Sequence, residues 1–149
     1  MNNLKTTVLE FNDLSLNSLY EILRLRSEIF VVEQECAYLD IDGQDQKALH
    51  LLIRDSDENL SAYTRILHDD QQKLHIGRVL VRKADRNKGV GKFLMEKTME
   101  VCKERYPEEP IILNAQLYLE QFYKTLGFET QSKPYPWDGI LHVDMIYRY

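Results

Sequence analysis

The sequence predicts an α/β (α+β) fold in which helices flank a central mixed, mostly antiparallel sheet. The chain has 149 residues, of which 44% are apolar, and this fits one domain with one hydrophobic core. Hydrophobic periodicity alternates between helical and strand-like stretches in the order β-α-β-β-β-α-β-α-β-β. Three consecutive strand-like stretches joined by short polar turns are typical of an antiparallel meander.

The first half of the chain predicts one strand, one helix and the meander. The strand covers residues 7–11. The helix begins at Ser15 or Ser18, whose hydroxyls can cap it, and ends near Val31. A polar loop follows over residues 33–47. The three strands of the meander are expected at residues 48–54, 60–67 and 74–81.

The second half predicts two helices that alternate with strands. Apolar residues recur at helical spacing over residues 89–106, and Pro107 ends this helix because its ring cannot continue the hydrogen-bond ladder. Gly127 is the expected left-handed stop of the second helix, and Pro134 and Pro136 are expected in a loop. The remaining elements are a buried strand at 111–113, a helix at 117–126 and closing strands at 128–131 and 140–148.

Charge and hydropathy exclude several functions. The chain has 19 basic and 24 acidic residues, and its net charge of −5 argues against a protein that binds nucleic acid through phosphates. Short apolar runs and the lack of a basic-then-apolar leader predict a cytoplasmic protein that does not span a membrane. Residues 28–58 hold nine acidic and two basic side chains, whereas residues 78–92 hold six basic and one acidic. This polarity fits one cationic and one anionic ligand side by side, or two solvated faces.

The stretch Arg86-Asn87-Lys88-Gly89-Val90-Gly91 lies between a predicted strand and a predicted helix. Unpaired amides at a helix start, together with the helix dipole, form an anion site, so we expect this loop to bind phosphate. A Walker loop is excluded because Arg86 replaces its first Gly and Phe93 replaces its Ser or Thr. A dinucleotide-binding fingerprint is excluded because Leu94 replaces its third small residue and the preceding meander is not a parallel βαβ unit.

The same loop matches the pattern Arg/Gln-x-x-Gly-x-Gly/Ala in full, and Phe122-Tyr123-Lys124-Thr125-Leu126-Gly127-Phe128 follows on the next predicted helix. Together these stretches resemble the acetyl-CoA site of the GNAT superfamily of N-acetyltransferases, whose order of elements the whole chain also follows. Five shorter stretches are similar to the ElaA-like branch of that superfamily: Leu25-Arg26, Ile29-Phe30-Val31-Val32-Glu33-Gln34, Asp40-Ile41-Asp42-Gly43, His50-Leu51-Leu52 and Asp138-Gly139-Ile140-Leu141-His142. The resemblance implies direct transfer of an acetyl group from acetyl-CoA to an amine, without a metal.

The resemblance also assigns a binding site for acetyl-CoA. The backbone of Val79, Leu80 and Val81 is expected to pair with the pantetheine arm as an added strand would. Gln116 replaces the Asn of many family members and keeps a donor and an acceptor for that arm. Phe122 is expected beside the arm. The pyrophosphate is expected on the loop, through Arg86, Asn87, Lys88, Gly89, Val90, Gly91 and Lys92.

Acetyl transfer to an amine requires an acid and a base. Tyr123 matches the family's general-acid position, and a phenol with a pKa of about 10 holds its proton at pH 7. An alkylamine with a pKa of about 10.4 is almost entirely protonated at pH 7, so a base is expected. Glu33 and His50 are the first choices because they fall in the ElaA-like stretches. Three further candidates are Glu35, His75 and Asp144.

The sequence does not specify the acceptor. The acidic loop at residues 33–45 is expected to attract a cationic amine, such as a polyamine, an amino sugar or a peptide amine. Two other interpretations are a GNAT-like sensor or interaction module that binds acyl-CoA without turnover, and a purely structural domain. The presence of Tyr123 rather than Phe favours the enzyme. Many GNAT proteins dimerise through sheet edges or C-terminal strands, so residues 140–149 are a candidate surface for a homodimer.

Overall fold

All strands belong to one sheet in a computed structural model of the chain, which describes residues 3–149. The strands are β1 (Lys5–Glu10), β2 (Leu49–Arg54), β3 (Leu60–His68), β4 (Leu74–Val81), β5 (Ile111–Gln116), β6 (Glu129–Thr130), β7 (Tyr135–Trp137) and β8 (Ile140–Tyr147). Their order in the sheet is β1-β2-β3-β4-β5-β8-β6, with β7 paired to β8. Among the described strands β4 and β5 are the one parallel pair, which confirms the predicted mixed, mostly antiparallel sheet.

Three helices flank the sheet: α1 (Leu16–Arg26), α2 (Val90–Arg105) and α3 (Glu120–Thr125). Successive side chains of a strand face opposite sides, and the neighbours Leu51 and Leu52 of β2 show the result. Leu52 packs with residues of α1, whereas Leu51 packs with residues of α2. Across residues 3–149, no helix combines the length and the apolar character needed to cross a membrane.

The first helix continues beyond its predicted end. Ser15 caps α1, because its hydroxyl accepts a hydrogen bond from the Ser18 amide at 3.0 Å. After α1 the backbone widens into a π-helical segment, Ser27–Glu33, and the amide of Gln34 still bonds five residues back to the Ile29 carbonyl. π-Helical turns are often found at functional sites.

Strand β4 is irregular on both of its sides. Toward β3, the pairs Tyr63↔Leu80 and Arg65↔Gly77 leave two residues of β4 opposite one residue of β3. This β-bulge places Arg78 at a φ of 52°, in the left-handed region. Toward β5, the pairing ends at His75↔Ile112, so the remainder of β4 diverges from β5. The sheet is therefore split between β4 and β5.

The predicted loop around Pro134 and Pro136 is wrong in part, because Tyr135–Trp137 forms β7. This strand makes a hairpin with β8 through Asp138 and Gly139, whose φ angles of 51° and 77° suit a tight primed turn. Among the described strands β7 pairs with β8 alone, and a proline is tolerated at such an edge because it lacks only a hydrogen-bond donor. The Asp-Gly pair between strand-like residues was the sequence signal for this hairpin.

Candidate functional site

The split between β4 and β5 opens into a cleft of about 1280 Å³. Drug-sized ligands typically occupy about 300–1,000 Å³, so this cleft has room for a longer, extended ligand and a second molecule beside it. The structure brings most of the predicted site residues together here. Those that line the cleft are Glu33, Val79, Leu80, Val81, Arg86, Asn87, Gly89, Val90, Gly91, Lys92, Gln116, Phe122 and Tyr123.

The loop at residues 86–92 forms one end of the cleft. Gly89 is the N-cap of α2 at a φ of 80°, and Asn87 at 62° is also left-handed, which turns the loop sharply before the helix. The first helical hydrogen bond of α2 runs from the Phe93 amide to the Gly89 carbonyl, at 3.1 Å. The amides of Val90, Gly91 and the next residue precede the helical ladder and are available to an anion.

Close packing joins the loop to its neighbours. A Cβ built on Gly91 would lie 3.7 Å from Val81 Cγ2 and 3.8 Å from Phe122 Cζ. The end of β4, the start of α2 and the face of α3 therefore meet with little space between them. Lys88 lies outside the cleft lining, and its Nζ donates to the Ala84 carbonyl at 3.0 Å.

Glu33 and Arg86 are ion-paired across this end of the cleft. Arg86 Nη2 lies 3.0 Å from Glu33 Oε2, and Arg86 Nη1 donates to Glu33 Oε1 at 3.1 Å. Arg86 Nε also donates to the Val81 carbonyl at 3.1 Å. Glu33 is thus held by the cation of the loop rather than presented to an acceptor, which weakens its assignment as the base.

Substitution of Glu33 by Gln is expected to tighten the binding of acetyl-CoA up to about fivefold, since a half-exposed ion pair contributes at most about 1 kcal/mol. The reason is that the pyrophosphate would no longer compete with Glu33 for Arg86. Isothermal titration with acetyl-CoA measures the effect. Glu35→Gln is the matched control, because Glu35 is exposed and has no ion pair within residues 3–149. Equal affinities of the two variants would contradict this account of Glu33.

Tyr123 reaches the cleft from the buried side of α3. Its ring is 5% exposed and packs edge-on against Phe122 and Phe128, at centroid distances of 5.2 and 6.1 Å. Burial raises the pKa of the Tyr123 phenol well above its usual value, so the phenol is protonated at neutral pH. The ring is therefore fixed by packing, and Tyr123 lines the cleft.

A polar rim lines the other side of the split. The side-chain amides of Gln116 and Gln34 donate to one another's oxygens at 3.2 and 3.3 Å. Two residues before Gln116 on β5, Asn114 Nδ2 donates to Asp144 Oδ1 at 2.7 Å. The Tyr135 hydroxyl donates to the same oxygen at 2.6 Å. Asp144 itself lies outside the cleft lining and orients Asn114, which lines it. Gln34, Asn114 and His142 are cleft residues without a predicted role from the sequence.

His50 is not placed to act as a base. It is 1% exposed and lies outside the cleft lining. Its Nδ1 lies 2.7 Å from the Tyr63 hydroxyl and its Nε2 lies 2.8 Å from the Asp45 carbonyl, so both ring nitrogens are occupied. Burial lowers the pKa of His50 and keeps the ring neutral in the core. His50 therefore has a structural role in this chain, although it lies in an ElaA-like stretch.

The acidic loop is largely neutralised by arginines from distant parts of the chain, contrary to the expected attraction for a cationic acceptor. Arg26, which is fully buried, holds Asp40 at 3.0 Å and Asp45 at 2.7 Å. Arg65 bridges Asp45 and Asp42, so these carboxylates are not free to attract an amine. Arg78, at the bulge of β4, adds contacts to Asp40 and Asp42.

Comparison with known families identifies the fold. The model of the acetyltransferase (GNAT) domain matches residues 22–149. The chain belongs to the GNAT family. Membership of this acyltransferase family implies that the chain binds acyl-CoA.

Individual relatives place this GNAT chain in the ElaA-like branch. ElaA of Escherichia coli K12 is 45% identical over 141 residues, which cover 92% of each chain. Its crystal structure superimposes with a TM-score of 0.92 at 40% identity, over 97% of this chain and 99% of that one. An acyl-CoA N-acyltransferase of Pseudomonas aeruginosa superimposes with a TM-score of 0.90 at 36% identity, again over 97% and 99%. A UPF0039 protein of Schizosaccharomyces pombe is 39% identical over 146 residues, or 97% of each chain.

Proposed function

We propose that the protein is an acetyl-CoA-dependent N-acetyltransferase that transfers the acetyl group directly to an amine. The observation that carries this proposal is the split between β4 and β5, which leaves the β5-facing edge of Val79–Val81 without a paired strand among residues 3–149. A pantetheine arm has two amides and can bond to such an edge as an added strand does. The edge leads directly to the loop at residues 86–92, where the pyrophosphate is expected.

This orientation determines where the acetyl group lies. With the phosphates at the loop, the arm runs back along β4 from Val81 towards Val79, and the thioester lies near the bulge at Arg78. Tyr123 and Gln116 line the cleft from the α3 and β5 sides. The amine then enters from the remaining part of the cleft, which loop 36–44 and the β7–β8 hairpin border.

Direct transfer sets the role of Tyr123. The amine nitrogen attacks the thioester carbon, the new C–N bond forms, and the C–S bond breaks. The Tyr123 hydroxyl donates its proton to the departing sulfur, so that free coenzyme A leaves as a thiol. The phenolate then recovers a proton from solvent. The proton lost by the amine requires a separate base.

Release of free thiol from acetyl-CoA against a panel of amines tests the proposed function. The panel comprises a polyamine, an amino sugar, a lysine-containing peptide and a peptide with a free N-terminus. We expect amine-dependent thiol release and a matching acetylated product by mass spectrometry. A protein whose melting temperature rises with acetyl-CoA but which acetylates no member of the panel would instead be a binding module.

A further inference from the structure

A histidine and a carboxylate form a close pair in the lining of the cleft. His75 Nε2 lies 2.7 Å from Asp69 Oδ2, and both residues line the cleft. Asp69 is fixed by the turn between β3 and β4, where its Oδ1 accepts from the amides of Gln71 and Lys73 at 2.8 and 3.0 Å. The turn therefore aims the second carboxylate oxygen at the imidazole.

This contact selects one tautomer of the neutral imidazole. Hydrogen bonds from backbone amides, led by that of Lys73, hold the pKa of Asp69 below its ordinary value, so the group is a carboxylate that only accepts. Nε2 must then carry the proton and donate it to Asp69. Nδ1 is left with a lone pair, and no group within residues 3–149 hydrogen-bonds to it. The side chain of His75 remains 22% exposed.

His75 also stands at the point where the sheet splits. It is the last residue of β4 that pairs with β5, and the unpaired edge begins immediately after it. Leu74 and Ile76 pack in the core cluster that contains α2 residues, so His75 and Gly77 lie on the opposite face. A Cβ built on Gly77 would meet nothing within 4 Å. The floor between His75 and the bulge at Arg78 is therefore open to an acceptor.

We propose that His75 is the general base of the acetyl transfer and that Asp69 is its positioning residue. This inference rests on the proposed function. His75 Nδ1 takes a proton from the incoming ammonium, directly or through one water, and the amine lone pair then forms the C–N bond. Asp69 stabilises the imidazolium, which returns its proton to solvent after the product leaves. Glu33 and Asp144 are bound to other groups, and His50 lies outside the cleft.

Replacement of His75 by Gln tests the base, with His68→Gln as the matched control. His68 Nε2 also bonds a carboxylate, Glu109 Oε2 at 2.8 Å, but His68 lies outside the cleft. We expect His75→Gln to lower kcat by about 10²- to 10⁴-fold with an unchanged dissociation constant for acetyl-CoA, and His68→Gln to retain wild-type kcat. The decrease in kcat of His75→Gln should be smaller with an amine that is already neutral at pH 7, because such an amine has no ammonium proton to lose before it attacks. Wild-type kcat in His75→Gln would overturn the proposal.

Asp69→Asn tests the positioning role. The amide oxygen of Asn can still accept from the turn, but its nitrogen donates to His75 Nε2 and so forces the proton onto Nδ1. We expect a lower kcat, an unchanged KM for acetyl-CoA and a reversed tautomer in long-range ¹⁵N–¹H spectra, assigned by comparison with His75→Gln. A protonated Nδ1 in the neutral imidazole of wild type would overturn the proposal even without turnover. Failure of wild type to acetylate any amine would instead refute the proposed function.

Discussion

Tyr123→Phe is expected to lower kcat by about 10²- to 10⁴-fold while acetyl-CoA binds as it does to wild type. Phe retains the ring that packs against Phe122 and Phe128 and removes only the hydroxyl. The thiolate would then leave without a proton from the protein. Pre-steady-state thiol release at saturating amine measures the step, and titration with acetyl-CoA measures binding separately.

Tyr106→Phe is the control for this substitution. Tyr106 packs against the same core cluster as Tyr123 but lies outside the cleft, so loss of its hydroxyl should leave kcat unchanged. Wild-type kcat in Tyr123→Phe would contradict the role of Tyr123 as acid. A change confined to the KM for acetyl-CoA would do the same, because it would assign the hydroxyl to binding.

Asp45→Asn is expected to destabilise the protein by about 3–5 kcal/mol, the usual cost of removing one partner from a buried ion pair. Asp45 is 5% exposed, and its Oδ1 accepts from Arg26 Nη1 at 2.7 Å and from Arg65 Nη1 at 2.9 Å. The neutral amide would leave two buried guanidinium groups without that charge. Urea unfolding at pH 7 measures the difference in the free energy of unfolding.

Acidification provides a second readout for Asp45. Its desolvation opposes ionisation, but hydrogen bonds and charge from Arg26 and Arg65 outweigh this and hold the pKa of Asp45 below its ordinary value. A carboxylate with a depressed pKa stabilises the fold above its unfolded pKa of about 3.9 and loses that contribution as the pH falls. The difference in the free energy of unfolding between wild type and Asp45→Asn should therefore become smaller below about pH 4. If Asp45→Asn lost less than about 1 kcal/mol of unfolding free energy at pH 7, the same as the exposed Asp57→Asn, the role of Asp45 would be contradicted.

Local sequence was sufficient for most elements of the fold. The cap at Ser15, the meander and the glycine-rich start of α2 all depend on neighbouring residues, and each appears where periodicity and turn chemistry place it. The β7–β8 hairpin was missed because two prolines outweighed the Asp-Gly signal. The π-helical extension, Ser27–Glu33, has no comparable local signal in the sequence.

The cleft was less predictable than the fold. The loop motif and the Tyr123 position pointed to one face of it, but pairing partners far apart in sequence decided the base candidates. His50 is bonded to Tyr63 of the adjacent strand, and Glu33 is bonded to Arg86, which lies 53 residues later. Likewise, the acidic residues of the loop are evident from the local sequence, but the arginines that neutralise them come from distant parts of the chain.

In the proposed complex, the split between β4 and β5 holds acetyl-CoA along the edge Val79–Val81. A crystal structure of the protein grown with acetyl-CoA tests it most directly. We expect the pantetheine amides to bond to the backbone of Val79–Val81, the pyrophosphate to bond to the amides of residues 88–92, and the sulfur to lie within hydrogen-bond reach of the Tyr123 hydroxyl. Acetyl-CoA bound elsewhere, or crystals grown at saturating acetyl-CoA with no ligand along this edge, would contradict the claim.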